Sequence, residues 1–93
     1  MTSTKKDWIP FNEWSQDKID KGLKICTSRH KKYTNDKRVF YITPKLPFWF
    51  IKKYLYIDEG AESEDGLQEV FDNIYQREVS SNEEFYVHFG DFK

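Results

Sequence analysis

Three side chains with complementary chemistry lie within six residues of this sequence. Lys24 carries an ammonium group, Thr27 a hydroxyl and Arg29 a guanidinium, and Gly22 precedes them. A hydroxyl can attack an acyl carbon when a base takes its proton, and a lysine can serve as that base. A guanidinium can hold a phosphate or a carbonyl group through paired hydrogen bonds. The stretch therefore predicts a site that either binds a ligand or also cleaves one.

Each of these groups also has a structural interpretation. Lys24 and Thr27 fit an ordinary solvent-facing strand pair, and Arg29 fits a surface ion pair with one of the eleven acidic residues in 58–93. On a regular strand, successive side chains point to opposite faces, so Lys24 and Thr27 would lie apart. A shared role for these two residues therefore requires a bend or a β-bulge between them.

A helix and a strand flank the glycine at the start of this stretch. Asn12 is a typical helix N-cap, and residues 13–21 are mostly good helix formers. Gly22 fits the left-handed position that ends such a helix. Residues 24–29 then follow the period of a strand. Residues 8–11 could form a short edge strand, since their proline cannot donate to a central ladder.

The remainder of the chain predicts two more strands and two more helices. Residues 38–43 are rich in β-branched and aromatic side chains and favour a strand, and the prolines at 44 and 47 bracket a turn. Residues 47–57 suit either a strand or a helix, but their apolar spacing favours a helix. Ser63 can cap an amphipathic helix over 63–75, and residues 85–89 form the last strand.

Length and composition indicate one small domain of the α+β class. The 93 residues allow only a thin core, and the 18% of aromatic residues help to fill it. We predict that residues 8–93 form this domain and that residues 1–7 are a flexible N-terminus. No apolar run resembles a signal peptide or a membrane span. We therefore expect a cytoplasmic protein that uses no membrane, metal or cofactor.

Cys26 and His88 are candidates mainly for structural roles. Because Cys26 is the only cysteine, the chain can form neither an internal disulfide nor a thiolate cluster. We expect a small core residue at this position, although its place inside the stretch leaves a nucleophilic role open. His88 lies in an apolar strand, and we expect it to be a hydrogen-bonded structural histidine.

Charge is divided unevenly along the chain. Residues 1–57 contain 13 basic and 5 acidic residues, whereas residues 58–93 contain 2 basic and 11 acidic residues. Either the two halves neutralise each other in the fold, or one face is free to bind a polyanion. The densest basic patch comprises Lys31, Lys32, Tyr33, Lys37 and Arg38. A basic groove with an aromatic ring is typical of single-stranded RNA binding, and a solvated loop is the alternative.

The order of elements and residues resembles the ASCH domain, a family of the PUA-like superfamily. The family signature, Gly-x-Lys-x-x-Thr-x-Arg after a short helix, is matched by Gly22, Lys24, Thr27 and Arg29. Downstream, the family often has a Glu-Gly pair, a Ser-led amphipathic helix and an aromatic-rich last strand. These features correspond to residues 59–60, 63–75 and 85–89. The resemblance covers residues 8–92.

The resemblance implies a small, partly open β-barrel with helices at its ends and a cleft that takes nucleic acid or a nucleotide. Some small bacterial ASCH proteins are amidohydrolases that remove the acyl group from N4-acetylcytidine. Their catalytic lysine, threonine and glutamate correspond here to Lys24, Thr27 and Glu59, with Glu62 as the alternative to Glu59. In such an enzyme Thr27 would attack the acyl carbon, Lys24 would take its proton, and Glu59 would protonate the leaving N4 or activate water.

The chain departs from the family pattern after its second strand. The family usually has an additional strand there, and residues 44–47 leave little room for it, so we expect an abbreviated barrel and a shallow cleft. The leading hypothesis is a domain that binds RNA or a modified nucleoside in a cleft around Lys24, Thr27, Arg29 and Glu59. The predicted ligand-binding residues are Gly22, Arg29, Lys31, Lys32, Tyr33 and Arg38. The alternatives are an amidohydrolase acting on N4-acylated cytidine and a protein-interaction module.

Overall fold

The computed structural model describes residues 7–93, and within them the chain has the predicted α+β composition. The helices are α1 (Glu13–Asp20), α2 (Phe48–Leu55) and α3 (Glu64–Tyr75), and the strands are β1 (Cys26–Arg29), β2 (Val39–Pro47) and β3 (Glu84–Gly90). Three helices are thus confirmed. The predicted flexible N-terminus, residues 1–7, lies outside the described residues except for Asp7. No helix in the described part of the chain is long and apolar enough to cross a membrane.

The three strands form one open antiparallel sheet in the order β1-β3-β2. The last strand of the chain therefore lies in the centre, and the sheet is complete only when β3 has entered between the other two. In the register of the sheet, Thr27 is opposite His88 and Arg29 is opposite Tyr86, while Lys45 of β2 is opposite Tyr86 on the other side. Residues that lie directly opposite each other share a face of the sheet.

The main core lies between the other face of the sheet and helices α2 and α3. Its centre is aromatic, since Phe48 stacks on Phe71 at 4.6 Å between ring centroids and Phe85 meets Phe71 edge-on at 5.5 Å. Each fully buried phenylalanine contributes roughly 1.5–3 kcal/mol to folding. Cys26 packs into the same core and is fully buried. A smaller cluster holds Ile9, Ile19 and Phe92 together.

The helix caps lie where the sequence predicts them. Asn12 Oδ1 accepts a hydrogen bond from the Ser15 backbone N–H at 2.8 Å, and Ser63 Oγ accepts one from the Gly66 N–H at 2.9 Å. Gly22 has a φ of +74°, the left-handed conformation expected after α1. These local signals set the start of α1 and α3 and the end of α1.

Two sequence predictions were wrong, and both concern prolines. Residues 8–11 form no strand, because the Ile9 N–H donates to a carboxylate, Asp36 Oδ2, instead of a neighbouring strand. The predicted turn at residues 44–47 belongs to β2, which continues to Pro47. As an edge strand, β2 tolerates missing N–H donors, and its pairing with β3 shifts register between Ile42 and Lys45. At this irregularity Thr43 Oγ1 accepts a hydrogen bond from the Val87 N–H at 3.0 Å.

Candidate functional site

A cleft lies beside the edge strand β1, between the start of α1, the turn after α2 and one side of α3. Its cavity volume is about 90 Å³, and it opens to solvent. Its polar lining comprises Asn12, Ser15, Lys24, Thr27, Ser28, Arg29 and Glu59. Its apolar wall comprises Trp14, Val70, Phe71, Ile74 and Tyr75. The lysine, threonine and glutamate that the family resemblance points to therefore line one cleft.

An irregular backbone brings Lys24 and Thr27 to the same cleft. The N–H groups of Ile25 and Cys26 both donate to the Asp58 carbonyl, at 2.9 and 3.2 Å. Successive N–H groups of a regular strand point in opposite directions, so this shared acceptor breaks the alternation of side chains. Regular pairing of β1 with β3 starts only at Cys26. The condition that a common role for Lys24 and Thr27 imposes on the backbone is therefore met.

Lys24 and Glu59 form a buried ion pair at the base of the cleft. Lys24 Nζ donates to Glu59 Oε1 at 2.8 Å and to the Glu59 backbone carbonyl at 3.0 Å. The two side chains are only 3% and 1% exposed. Ser28 Oγ donates to the second carboxylate oxygen, Oε2, at 2.5 Å. Both oxygens of the carboxylate thus have a donor, which partly offsets the cost of removing two charges from water.

Gly60 makes this ion pair geometrically possible. Its φ is +98°, and a Cβ at this position would lie 3.1 Å from Lys18 Cβ and 3.3 Å from Lys24 Cβ. A larger residue would therefore combine backbone strain with crowding against Lys24. The glutamate of the Glu-Gly pair, Glu59, is the one that enters the cleft. Glu62, the alternative, is exposed and lines a different surface depression.

Thr27 and Arg29 form the other polar part of the cleft. Arg29 Nε donates to Thr27 Oγ1 at 3.3 Å, and Arg29 Nη2 donates to the Pro10 carbonyl at 2.8 Å. The guanidinium also lies 5.4 Å from the centre of the Phe11 ring. Burial lowers the pKa of Arg29, an effect that the nearby carboxylate of Glu59 opposes. The guanidinium stays charged at neutral pH and can bind a carbonyl or phosphate oxygen.

The apolar wall faces these polar groups with flat aromatic surface. Lys24 Nζ lies 5.9 Å from the ring centre of Trp14, which belongs to α1. Burial raises the pKa of Tyr75, so its hydroxyl keeps its proton at neutral pH and can donate a hydrogen bond. An apolar wall opposite a few fixed polar groups is typical of small-molecule sites.

Gly22 and the predicted basic patch lie outside this cleft. Gly22 is exposed and lines a separate shallow groove. Arg38 is half-buried and fixed to the fold, because its guanidinium donates to both oxygens of Asp36 and to the Ile9 carbonyl. Lys31 and Lys32 are exposed, and Tyr33 is half-buried. The structure thus separates a structural arginine from lysines that face solvent.

Cys26 and His88 have structural surroundings. Cys26 is fully buried, and burial raises the pKa of its thiol far above the ordinary value, with a further contribution from Glu59. A thiol that stays protonated is a poor nucleophile. His88 accepts a hydrogen bond from the Tyr33 N–H at 2.9 Å and lies 3.1 Å from the Tyr86 carbonyl, which confirms the expected structural histidine. Within residues 7–93, no group of three His, Cys, Asp or Glu side chains could hold a metal.

Ser28 and Tyr75 are site residues that the sequence did not single out. A signal for Ser28 existed, because it lies four residues from Lys24 and therefore on the same predicted strand face. Tyr75 is part of the helical apolar stripe, and nothing in its spacing distinguishes a cleft wall from a core position. Tyr75 belongs to the site because the tertiary structure places it in the same cleft as the residues of β1.

Comparisons of the chain with protein-family models, with curated proteins and with solved structures found no match. We therefore infer function from the chemistry of the cleft and from the residues that resemble the ASCH signature.

Proposed function

We propose that this protein is a nucleotide-binding domain of the ASCH type, with a PUA-like fold, and that its cleft takes the base of a nucleotide or of RNA. One observation carries the proposal. Lys24 and Glu59 are 35 residues apart in the chain, yet they form a buried ion pair in the same cleft that Thr27 and Arg29 line. A binding function gives these four residues a common purpose.

The chemistry of the cleft suits a nucleobase. A base has apolar faces and a polar edge, and the cleft offers an aromatic wall opposite a row of donors and acceptors. A carboxylate accepts hydrogen bonds from the exocyclic amino group of cytosine, and Glu59 has lone pairs beyond those used by Lys24 and Ser28. Arg29 can donate to a base carbonyl or to a phosphate. Cytosine derivatives are therefore the first ligands to test.

Calorimetric titration with cytidine, N4-acetylcytidine and uridine tests this proposal. Thr27→Val removes a hydroxyl from the cleft at nearly constant volume. Thr34→Val removes the same group from the exposed loop and is the matched control. Loss of one hydrogen bond should weaken binding by about 3- to 10-fold in Thr27→Val and leave the control unchanged. If none of the three nucleosides binds the wild type, the proposal fails.

An amidohydrolase acting on N4-acetylcytidine is the second candidate, because Lys24, Thr27 and Glu59 line the same cleft. In this reaction Thr27 Oγ attacks the acetyl carbon, and its proton passes by way of Glu59 to the leaving N4 as the amide C–N bond breaks. Water then hydrolyses the acyl-threonine to acetate and restores the hydroxyl proton. Lys24 already donates to Glu59, so we assign proton acceptance to the carboxylate and charge stabilisation to the ammonium.

Incubation with N4-acetylcytidine, followed by chromatography of cytidine and acetate, tests the second candidate. Thr27→Val should abolish product formation, whereas Thr27→Ser keeps a hydroxyl and should retain part of it. Lys24→Ala should also be inactive. No turnover in the wild type would exclude the hydrolase, and equal turnover in Thr27→Val would exclude Thr27 as its nucleophile. Either result leaves the binding proposal untouched.

A further inference from the structure

A second surface with features of a ligand site lies on the sheet face opposite the main core. Tyr86, in the central strand β3, is half-buried, and two lysine ammonium groups lie over its ring. Lys32 Nζ is 5.3 Å and Lys45 Nζ 5.7 Å from the ring centre. Lys45 is the registered partner of Tyr86 on β2, and Lys32 reaches it from the loop after β1.

A second tyrosine extends this surface along the strand. Lys31 Nζ lies 4.7 Å from the ring centre of Tyr33, and that ring meets the ring of His88 edge-on at 5.7 Å. His88 and Tyr86 are two residues apart on β3, so they share a face at a spacing of roughly 6.5–7 Å. We call the surface formed by Lys31, Lys32, Tyr33, Lys45 and Tyr86 the tyrosine platform.

Within the described residues, the three lysines of the tyrosine platform form no ion pair, although the exposed Glu84 shares the Tyr86 face of β3. Some bases elsewhere in the fold have acidic partners, as in the pairs Lys21–Asp17 and Lys24–Glu59. Within residues 7–93, no acidic group lies within 4.0 Å of the ammonium groups of Lys31, Lys32 and Lys45. Three such lysines on two tyrosine rings suit a polyanion that also carries flat rings.

The platform borders the cleft through the register of the sheet. Arg29 lies directly opposite Tyr86, and Thr27 lies directly opposite His88, so both cleft residues share the platform's face. A single strand of nucleic acid that stacks one base on Tyr86 would therefore pass beside Arg29. Its next base would then lie close to the cleft.

We propose that the tyrosine platform binds single-stranded nucleic acid by stacking bases on Tyr33 and Tyr86, with the three lysines on the phosphates, and delivers a neighbouring base to the cleft. This inference rests on the proposed function of the cleft. Stacking of a base on an aromatic ring is stronger than an exposed cation–π contact, so a base can displace a lysine from the ring. The displaced ammonium is then free to bind a phosphate.

Fluorescence anisotropy with a fluorescein-labelled decamer of oligocytidine RNA, repeated over a range of salt concentrations, tests the phosphate contacts. The double variant Lys32→Gln/Lys45→Gln should bind more weakly. The negative slope of log K against log salt should become shallower by about 1.4, or about 0.7 for each lost contact. Lys53→Gln is the matched control, because Lys53 lies 5.4 Å over the Tyr54 ring on α2, away from the platform. This control should bind like the wild type.

Variants of the tyrosine test the stacking. Tyr86→Leu should weaken RNA binding by about 5- to 100-fold without changing the salt slope, because it removes a ring and no charge. Tyr86→Phe keeps the ring and should bind like the wild type. Tyr54→Leu is the control on α2. If Tyr86→Leu does not fold, as judged by circular dichroism, the Lys32→Gln/Lys45→Gln variant still tests the platform through its phosphate contacts.

The two proposals can fail separately. Platform variants that bind RNA like the wild type would overturn the platform, and so would a wild type that binds phosphatidylserine vesicles and not RNA. If nucleosides still bind in calorimetry, the cleft proposal survives either result. If RNA binding depends on the platform while no nucleoside binds, RNA binding by the platform stands, and the delivery of a base falls together with the cleft proposal.

Discussion

Two ion pairs in this protein join a glutamate to a base at the same distance but in opposite surroundings. Lys24 Nζ and Glu59 Oε1 are 2.8 Å apart, with side chains that are 3% and 1% exposed. Arg77 Nη1 and Glu83 Oε1 are also 2.8 Å apart, but their side chains are 48% and 19% exposed. The surface pair even has a second hydrogen bond, from Arg77 Nη2 to Glu83 Oε2. Judged by hydrogen-bond geometry alone, the surface pair would be expected to stabilise the protein more than the buried pair.

Burial reverses this ranking. An exposed ion pair contributes little to stability, because water and salt screen it. A buried pair costs several kcal/mol per ion in lost hydration, and its attraction only roughly repays that cost. Apolar side chains in the place of Lys24 and Glu59 would fill the same space without this loss of hydration. The presence of this pair beside a cleft therefore favours a functional role, whereas the pair of Arg77 and Glu83 needs none.

The largest expected effect comes from breaking the buried pair on one side. Glu59→Gln leaves the Lys24 ammonium buried without a counter-ion, so the free energy of unfolding should fall by about 3–5 kcal/mol in urea titration. Glu62→Gln, a few residues away and exposed, should unfold like the wild type. A loss in Glu59→Gln no larger than that of the control would show that the pair is not held in the buried geometry described.

A smaller loss is expected from removing the third member of the buried network. Ser28→Ala leaves Glu59 Oε2 without its hydroxyl donor, and hydrogen bonds to charged groups contribute about 1.5–3 kcal/mol. Urea titration of Ser28→Ala beside Ser81→Ala, a change at an exposed serine, measures the difference. Identical midpoints for the two variants would contradict the assigned hydrogen bond.

The stability that His88 contributes is expected to depend on pH. Burial lowers the pKa of His88 below its ordinary value of 6.5. Its contribution to stability is therefore complete above about pH 6.5 and is lost as the pH falls through the lowered pKa, because the unfolded chain takes up the proton first. His88→Gln should flatten this decrease in the free energy of unfolding, while the exposed His30→Gln should keep it. An unchanged slope in His88→Gln would refute the assignment.

The smallest expected effect belongs to the surface pair and also depends on pH. The hydrogen bonds from Arg77, with a further one from His30, lower the pKa of Glu83 to about 2. Because the pKa of Glu83 is lower in the folded than in the unfolded chain, the stabilisation is present above about pH 4.5 and is lost as the pH falls toward 2. Glu83→Gln should remove this small acid-dependent part, and added salt should shrink it in the wild type. A salt-independent loss would mean that the pair is less exposed than described.

Local signals made much of the fold predictable from the sequence. Asn12, Gly22 and Ser63 each act on backbone groups within a few residues, so their cap and turn roles needed no knowledge of the tertiary structure. The amphipathic stripe of α3 and the aromatic last strand likewise followed from spacing alone.

Features that depend on strand order were not predictable. The continuation of β2 through Pro44 depends on its position at the edge of the sheet, which is set when β3 enters the centre. The contact between Tyr86 and Lys45 depends on a register between strands about 40 residues apart. The irregular start of β1 depends on the carbonyl of Asp58, which is supplied by the turn after α2. The sequence shows that Lys24 and Thr27 can share a role only if the backbone between them is irregular. It does not show that this irregularity exists.

The cleft beside β1 is the ligand site that we propose. Titration of the ¹⁵N-labelled protein with cytidine 5′-monophosphate, followed by amide chemical shifts, tests it most directly. We expect the largest shifts at the amides of Thr27, Ser28 and Glu59, saturating together as one binding event. The absence of any shift, or shifts that cluster on α2 and leave these three amides unmoved, would contradict the claim.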